Sequence, residues 1–372
     1  MKIRDRHYEL EPYEECPCGS RKKFKFCCFK KAKEAVRNTK NHSNNYTVDR
    51  IRNMATNFWK ETDFELCFVG GKECHGKIKS AHSIQNNRIL NRISEDGHVY
   101  TIELTVTENG PEPYFKKISR NKASTFFGFC DYHDTQIFKP IEIVSYENNP
   151  KQNFLFAYRG FCVAHHKVVR KMSTLRNTSK KFPKSLLDPQ TINVYRTTQM
   201  DLRDGKEQLE KFTEDLLKSN YDQLVTFSYT LDYEVNFAVS SCLAIEKDME
   251  MKPLQDIYDL HEDVLVPTVF INIFPIENKT VIILSYYEDS ENIYGVLLEQ
   301  LKNSNEQDLL NYLSYVIFNG TEDVYYRPSS IEALELRTKK SMLESYTSFL
   351  NPFIELDLLL RGLHFDFNIF DL

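Results

Sequence analysis

The chain has 372 residues, 41% of them hydrophobic, 27% charged and 13% aromatic, with 26 Phe, 21 Tyr and only 12 Gly and 13 Pro. That length allows two or three compact units, and that composition excludes a disulfide-stapled miniprotein, a collagen-like repeat and an intrinsically disordered chain. The formal net charge of −5 conceals an asymmetry: residues 231–372 carry 25 Asp and Glu against 9 Lys and Arg, whereas residues 1–230 carry 28 against 39.

A basic front half is the electrostatic footprint of nucleic-acid binding, because Lys and Arg displace the counterions condensed on phosphates. The acidic back half is expected to meet a protein partner, to self-associate, or simply to stay soluble. No run of 18 apolar residues occurs, and the first residues lead into no apolar signal region. The expectation is a cytoplasmic protein that makes no membrane contact.

In chain order, the first informative feature is Cys16, Cys18, Cys27 and Cys28, spaced C-x-C-x8-C-C. Four thiolates so placed can close a tetrahedral zinc shell, with Gly19 and Ser20 turning the chain around the ion. Adjacent Cys27 and Cys28 suit a disulfide framework poorly, and no secretion signal argues for one. The stretch Cys18-Gly19-Ser20-Arg21-Lys22-Lys23-Phe24-Lys25 with its two cysteine pairs resembles the SEC-C motif, a small zinc module of bacterial proteins. It departs from that motif at Arg21, where Gly is usual, and at Phe29, where a small residue is common. The resemblance implies a docking or nucleic-acid-proximal accessory within residues 1–45, not an activity. Behind it Lys30, Lys31, Lys33, Arg37 and Lys40 form a predicted basic helix ending near Asn41–Asn45. That helix either contacts phosphate or presents a solvated face.

Residues 46–185 carry a second constellation. Cys67 and Cys74 flank a Gly-Gly turn, Ser80-Ala81-His82-Ser83 follows, and Cys130 and His133 fall on the first turn of a predicted helix. The three cysteines make a second zinc site with His133 as the fourth ligand, and His82 is the alternative to it. Knuckle, hairpin and ligand-bearing helix is the order of a treble clef. This arrangement resembles the HNH endonucleases with their ββα unit. The resemblance implies that His82 is the general base and that Asp134, with or without His133, faces a Mg²⁺ or Mn²⁺ ion on the scissile phosphate. It also implies basic flanks on the nucleic-acid backbone, here Lys77, Lys79, Arg88, Arg92, Lys116, Lys117, Arg120 and Lys122. Ala81 stands where many members have Asp, Asn121 is no clear counterpart of the middle Asn, and residues 83–122 are a long insertion. The expected activity is hydrolysis of phosphodiester bonds, in DNA in preference to RNA, in a defence or mobile-element setting. The competing expectation is a non-catalytic nucleic-acid-binding or adaptor protein; both predict about two zinc ions per chain. His98 reads as a turn histidine, and the adjacent His165 and His166 cannot share one helix face.

From there the pattern is helical over 153–176, then a connection over 178–193 and a helix over 198–218 weakened by Gly205. Strands are predicted at 224–231, 235–244, 268–274 and 280–287, the last two as a hairpin. Helices follow at 291–303, 305–317 and 329–349, with a last apolar piece from Pro352. Cys242 reads as core rather than nucleophile, and the acids Glu246, Asp248, Glu250, Glu262 and Asp263 as a solvated face rather than a cation site. The predicted fold is therefore α+β: two small zinc modules, SEC-C-like and treble-clef-like, followed over 186–372 by an acidic domain with a small antiparallel sheet and helices.

Overall fold

The computed structural model describes residues 9–39, 47–71, 73–108, 110–257, 264–348 and 368–372. The predicted linker at Asn41–Asn45, the acids Glu262 and Asp263, and the apolar piece from Pro352 up to residue 367 lie outside those residues.

The N-terminal module folds back on itself. Cys16 N donates to Lys22 O at 2.8 Å, Phe24 N to Glu14 O at 2.9 Å and Lys25 N to Pro12 O at 2.8 Å. The first helix, α1 (Phe29–Thr39), follows. Phe24 and the cysteines pack with Leu186 and Ile192, and Arg196 Nη2 donates to both Glu14 carboxylate oxygens at 3.1 and 3.0 Å. The module is thus docked on the body of the protein.

Helix α2 (Val48–Glu61) begins on the Thr47 side-chain cap and buries no residue of its own. Strand β1 (Ile78–His82) pairs antiparallel with β4 (Thr125–Cys130), and α4 (Asp131–Glu142) follows β4 directly. This is the expected strand–strand–helix unit. A short helical stretch through α3 (Asn91–Ile93) and the hairpin β2 (His98–Thr107) and β3 (Gly110–Ser119) are inserted between its two strands.

Two long helices come next, α5 (Pro150–Lys181) and α6 (Pro189–Lys218). Each starts on an Asn or Asp cap, Asn149 and Asp188, followed by Pro in the first turn, where its missing N–H costs nothing. The helix predicted from residue 198 therefore starts nine residues earlier. Strands β5 (Leu224–Leu231), β6 (Phe237–Leu243), β7 (Val269–Ile276) and β8 (Lys279–Tyr287) match the predicted ones. Helices α7 (Glu291–Asn303) and α8 (Glu306–Gly320) match as well. The helix expected over 329–349 is divided into α9 (Pro328–Ala333) and α10 (Leu336–Ser348), because Leu334 is extended at ψ 143.

The sheet is larger than the four strands predicted. Its order is β3-β2-β9-β6-β7-β8-β5, antiparallel throughout, with β9 (Val324–Tyr326) at the junction. The hairpin from the 83–122 insertion forms one edge, so a single sheet crosses the boundary expected at residue 186. Helices α7, α8 and α10 supply the apolar core on one face. Helices α5 and α6 and the β1–β4–α4 unit share the core on the other.

Glycine permits the close contacts. A Cβ on Gly160 would stand 3.1 Å from Ser240 Oγ and 3.4 Å from Ser241 N, so α5 lies directly on β6. A Cβ on Gly205 would stand 2.5 Å from His165 Nδ1, which is how α6 crosses α5. The residue that weakened the helix prediction is the one that lets the helices meet.

Candidate metal centres and the His82 site

The Cys16, Cys18, Cys27 and Cys28 sulfurs all lie within 4.8 Å of one another, as do the donor atoms of Cys67, Cys74, Cys130 and His133. A tetrahedral zinc ion with bonds of about 2.3 Å to sulfur and about 2.0 Å to nitrogen implies edges of about 3.8 Å between sulfurs and about 3.5 Å from sulfur to nitrogen. Observed edges are 3.5 Å for Cys18–Cys27 and 3.8 Å for Cys27–Cys28. In the second cluster His133 Nδ1 is 3.2, 3.6 and 3.4 Å from the sulfurs of Cys67, Cys74 and Cys130. Donor set and spacing fit zinc at both places.

Local structure explains each arrangement. Arg21 has φ 60, a left-handed conformation that costs a non-glycine residue about 1 kcal/mol. In the second cluster Phe68 N donates to Gly128 O at 2.9 Å, fixing the knuckle to β4, and Gly70 and Gly71 turn it at φ 64 and 87. Cys130 is the N-cap of α4, so Cys130 and His133 occupy its first turn as predicted.

Without a metal, thiols at this density cannot all ionise together: one is favoured as thiolate and its neighbours are held protonated. Burial and the neighbouring thiols raise Cys16 to about 11 and Cys74 to about 12. Burial also pushes Cys18 up, but hydrogen bonds from Ser20, Cys16 and Cys27 together outweigh it and lower this thiol to about 7. A dication relieves this opposition, which is why such sites bind metal with release of protons.

The fourth position of the second cluster belongs to His133, and His82 lies outside it. His82 ends β1 opposite Thr125, just past a bulge where Ser80 faces both Phe127 and Gly128. Its Nε2 is buried with no hydrogen-bond partner. Burial, reinforced by the Arg159 charge, lowers its pKa, while bonds to the Arg120 and Asn121 backbone and the Glu142 charge oppose this. The ring is neutral near pH 7.

Arg159 is the residue that the sequence reading missed. It sits on α5 at 1% side-chain exposure, with its guanidinium 4.2 Å from the Phe138 ring centroid. Nη2 lies 2.5 Å from Glu142 Oε1 and 3.6 Å from Asp134 Oδ1, while Nε and Nη1 have no partner. The available signal was an arginine inside the apolar run Phe154–Val163, where a charge is rare unless paired. Burial, with Glu142 nearby, raises the Asp134 pKa against the pull of Arg159 and Lys79.

A Mg²⁺ or Mn²⁺ ion on Asp134 would need further hard oxygen ligands and no competing cation. Asp134 and Glu142 both face Arg159, and no group of three ligating side chains among the described residues includes Asp134. The residues present do not fit that ion.

Most of the expected basic flank is also engaged within the protein. Lys79 pairs with Asp131, Arg92 with Glu234 at 2.7 Å, Lys116 with Glu103 at 2.7 Å and Lys117 with Glu332 at 3.5 Å. Arg88 donates to the Val144 carbonyl at 3.0 Å and Arg120 to that of Asn86 at 3.3 Å. Asn86 Nδ2 in turn donates to Asn121 Oδ1 at 2.9 Å. Elsewhere, His98 Nδ1 meets Asp96 O in a turn, and His166 Nε2 meets Phe64 O with its ring stacked on Phe64. Asp248 accepts from Glu250 N and Lys252 N and so closes a turn. No described helix is long and apolar enough to cross a membrane. The chain matches no protein-family model, no curated protein and no solved structure.

Proposed function

We propose that the chain acts on nucleic acid and that its β1–β4–α4 unit is an HNH-like phosphodiester hydrolase with His82 as general base. Position supports this reading: His82 ends the first strand of a strand–strand–helix unit that carries the Cys3His cluster, with a neutral ring and an unpartnered Nε2. A neutral imidazole there accepts a proton from the water that attacks phosphorus. Zinc held by Cys16, Cys18, Cys27 and Cys28, and by Cys67, Cys74, Cys130 and His133, would supply folding energy. DNA as the preferred substrate rests on the family resemblance alone.

The second reading, a binding protein without catalysis, is supported by Arg159 neutralising both carboxylates. Zinc-replete wild type and His82→Ala, each checked for zinc, are incubated with supercoiled plasmid and single-stranded RNA, with Mg²⁺, with Mn²⁺ and without added divalent ion. Cutting lost in His82→Ala establishes the hydrolase and the substrate. Retention of nucleic acid by both proteins without cutting refutes it and leaves the binding protein.

A further inference from the structure

The N-terminal module exposes two aromatic rings side by side. Phe26 is 67% exposed and Tyr13 57%, with centroids 6.2 Å apart and ring planes at 63°. Lys25 bridges them: Nζ donates to Tyr13 Oη at 2.9 Å and stands 4.9 Å from the Tyr13 centroid and 5.8 Å from that of Phe26. The backbone bond from Lys25 N to Pro12 O holds the two segments together, so the rings sit on the fold that gathers the four thiols. Leaving this much ring area in water is unfavourable unless something covers it.

Charge identifies the cover. Arg21, Lys22, Lys23, Lys31 and Arg37 are exposed and form no ion pair among the described residues, whereas Lys79, Arg92, Lys116 and Lys117 of the flank around His82 are each paired with a carboxylate. The nearby Glu14 carboxylate is already taken by Arg196.

We propose that Tyr13, Phe26 and Lys25 form a stacking platform for a single-stranded nucleic acid whose phosphates lie on the Arg21, Lys22 and Lys23 turn. Flat bases cover the rings while the backbone meets the cations. A duplex keeps its base faces stacked inside and offers the rings nothing, and an acidic peptide would satisfy the cations but leave the rings wet. The proposal rests on the nucleic-acid reading above and narrows it to single strands; it does not depend on His82 being a base.

The test uses the full zinc-replete chain without added Mg²⁺ or Mn²⁺, and fluorescence anisotropy with labelled single-stranded DNA, single-stranded RNA, the matching duplex and poly-glutamate. Tyr13→Ser and Phe26→Ser should each weaken single-strand binding about tenfold while zinc content and duplex binding stay unchanged. Lys22→Gln with Lys23→Gln should flatten the salt dependence. Sensitivity of DNA, RNA or both to the ring variants supports the platform and identifies the sugar it accepts. Single-strand binding unchanged in the double ring variant, or ring-dependent binding of poly-glutamate alone, overturns it. Cutting that needs His82 alongside ring-independent binding refutes the platform and keeps the hydrolase; ring-dependent binding without cutting does the reverse.

Discussion

Gly205 tests whether the α5–α6 crossing is packed as closely as described. In an exposed helix interior Gly205→Ala would gain about 1 kcal/mol from helix propensity. Here the new Cβ would stand 2.5 Å from His165 Nδ1 and 3.1 Å from Cε1. The imidazole has little room to give way, stacked on Phe161 at 5.6 Å and edged by Phe68 at 5.6 Å, with 8% exposure. Overpacking of this kind costs about 1–3 kcal/mol, so the expected result is a net loss of about 1 kcal/mol. Urea unfolding at neutral pH in zinc-containing buffer measures it. In a His165→Ala background the same substitution should stabilise by about 1 kcal/mol, giving a coupling of about 2 kcal/mol. Stabilisation by Gly205→Ala in the wild-type background would refute the close crossing.

Elemental analysis should find about two zinc ions per chain, with Cys28→Ser and Cys130→Ser each removing a different one. Equal zinc in wild type and either variant would count against that cluster. Stability should fall on acidification: burial lowers His165 to about 4 and also lowers His82 and His166. The unfolded chain takes up these protons near pH 6.5, so the stability is fully present above about 6.5 and is lost toward pH 4, with His165 contributing about 3 kcal/mol. His165→Phe should remove that share of the slope; an unchanged slope would show that the ring is accessible to water. Tyr325→Phe should cost about 1–3 kcal/mol, because the Ser124 N–H would lose its buried acceptor. That bond is 2.8 Å long and ties β9 to the β1–β4–α4 unit, and amide exchange at Ser124 reports its loss directly.

Much of the candidate site was legible along the chain. Thiol spacing announced both clusters, and the position of Cys130 and His133 before a helical pattern announced their first-turn placement. His133 as the fourth ligand was read correctly from its place three residues after Cys130, with His82 as the open alternative. Register decided it: the pairing of Ile78 with Cys130 and the bulge opposite Ser80 carry His82 past the cluster. The pairing of the basic flank was not legible, because a list of cations says nothing about Glu234, Glu103 or Glu332, which meet three of them from elsewhere in the fold.

The sequence by itself determined the donors of two metal clusters, the ends of strands β5, β7 and β8, and helices α7 and α8, all within a few residues of prediction. These depend on spacing and periodicity inside one element, where neighbours in sequence are neighbours in space. Only the tertiary structure decided that hairpin β2–β3 joins the C-terminal sheet through the three residues of β9, and that Arg159 faces Asp134 and Glu142. Tyr100 meets Tyr326 across more than half of the chain, and a three-residue strand carries too little pattern to announce such a pairing.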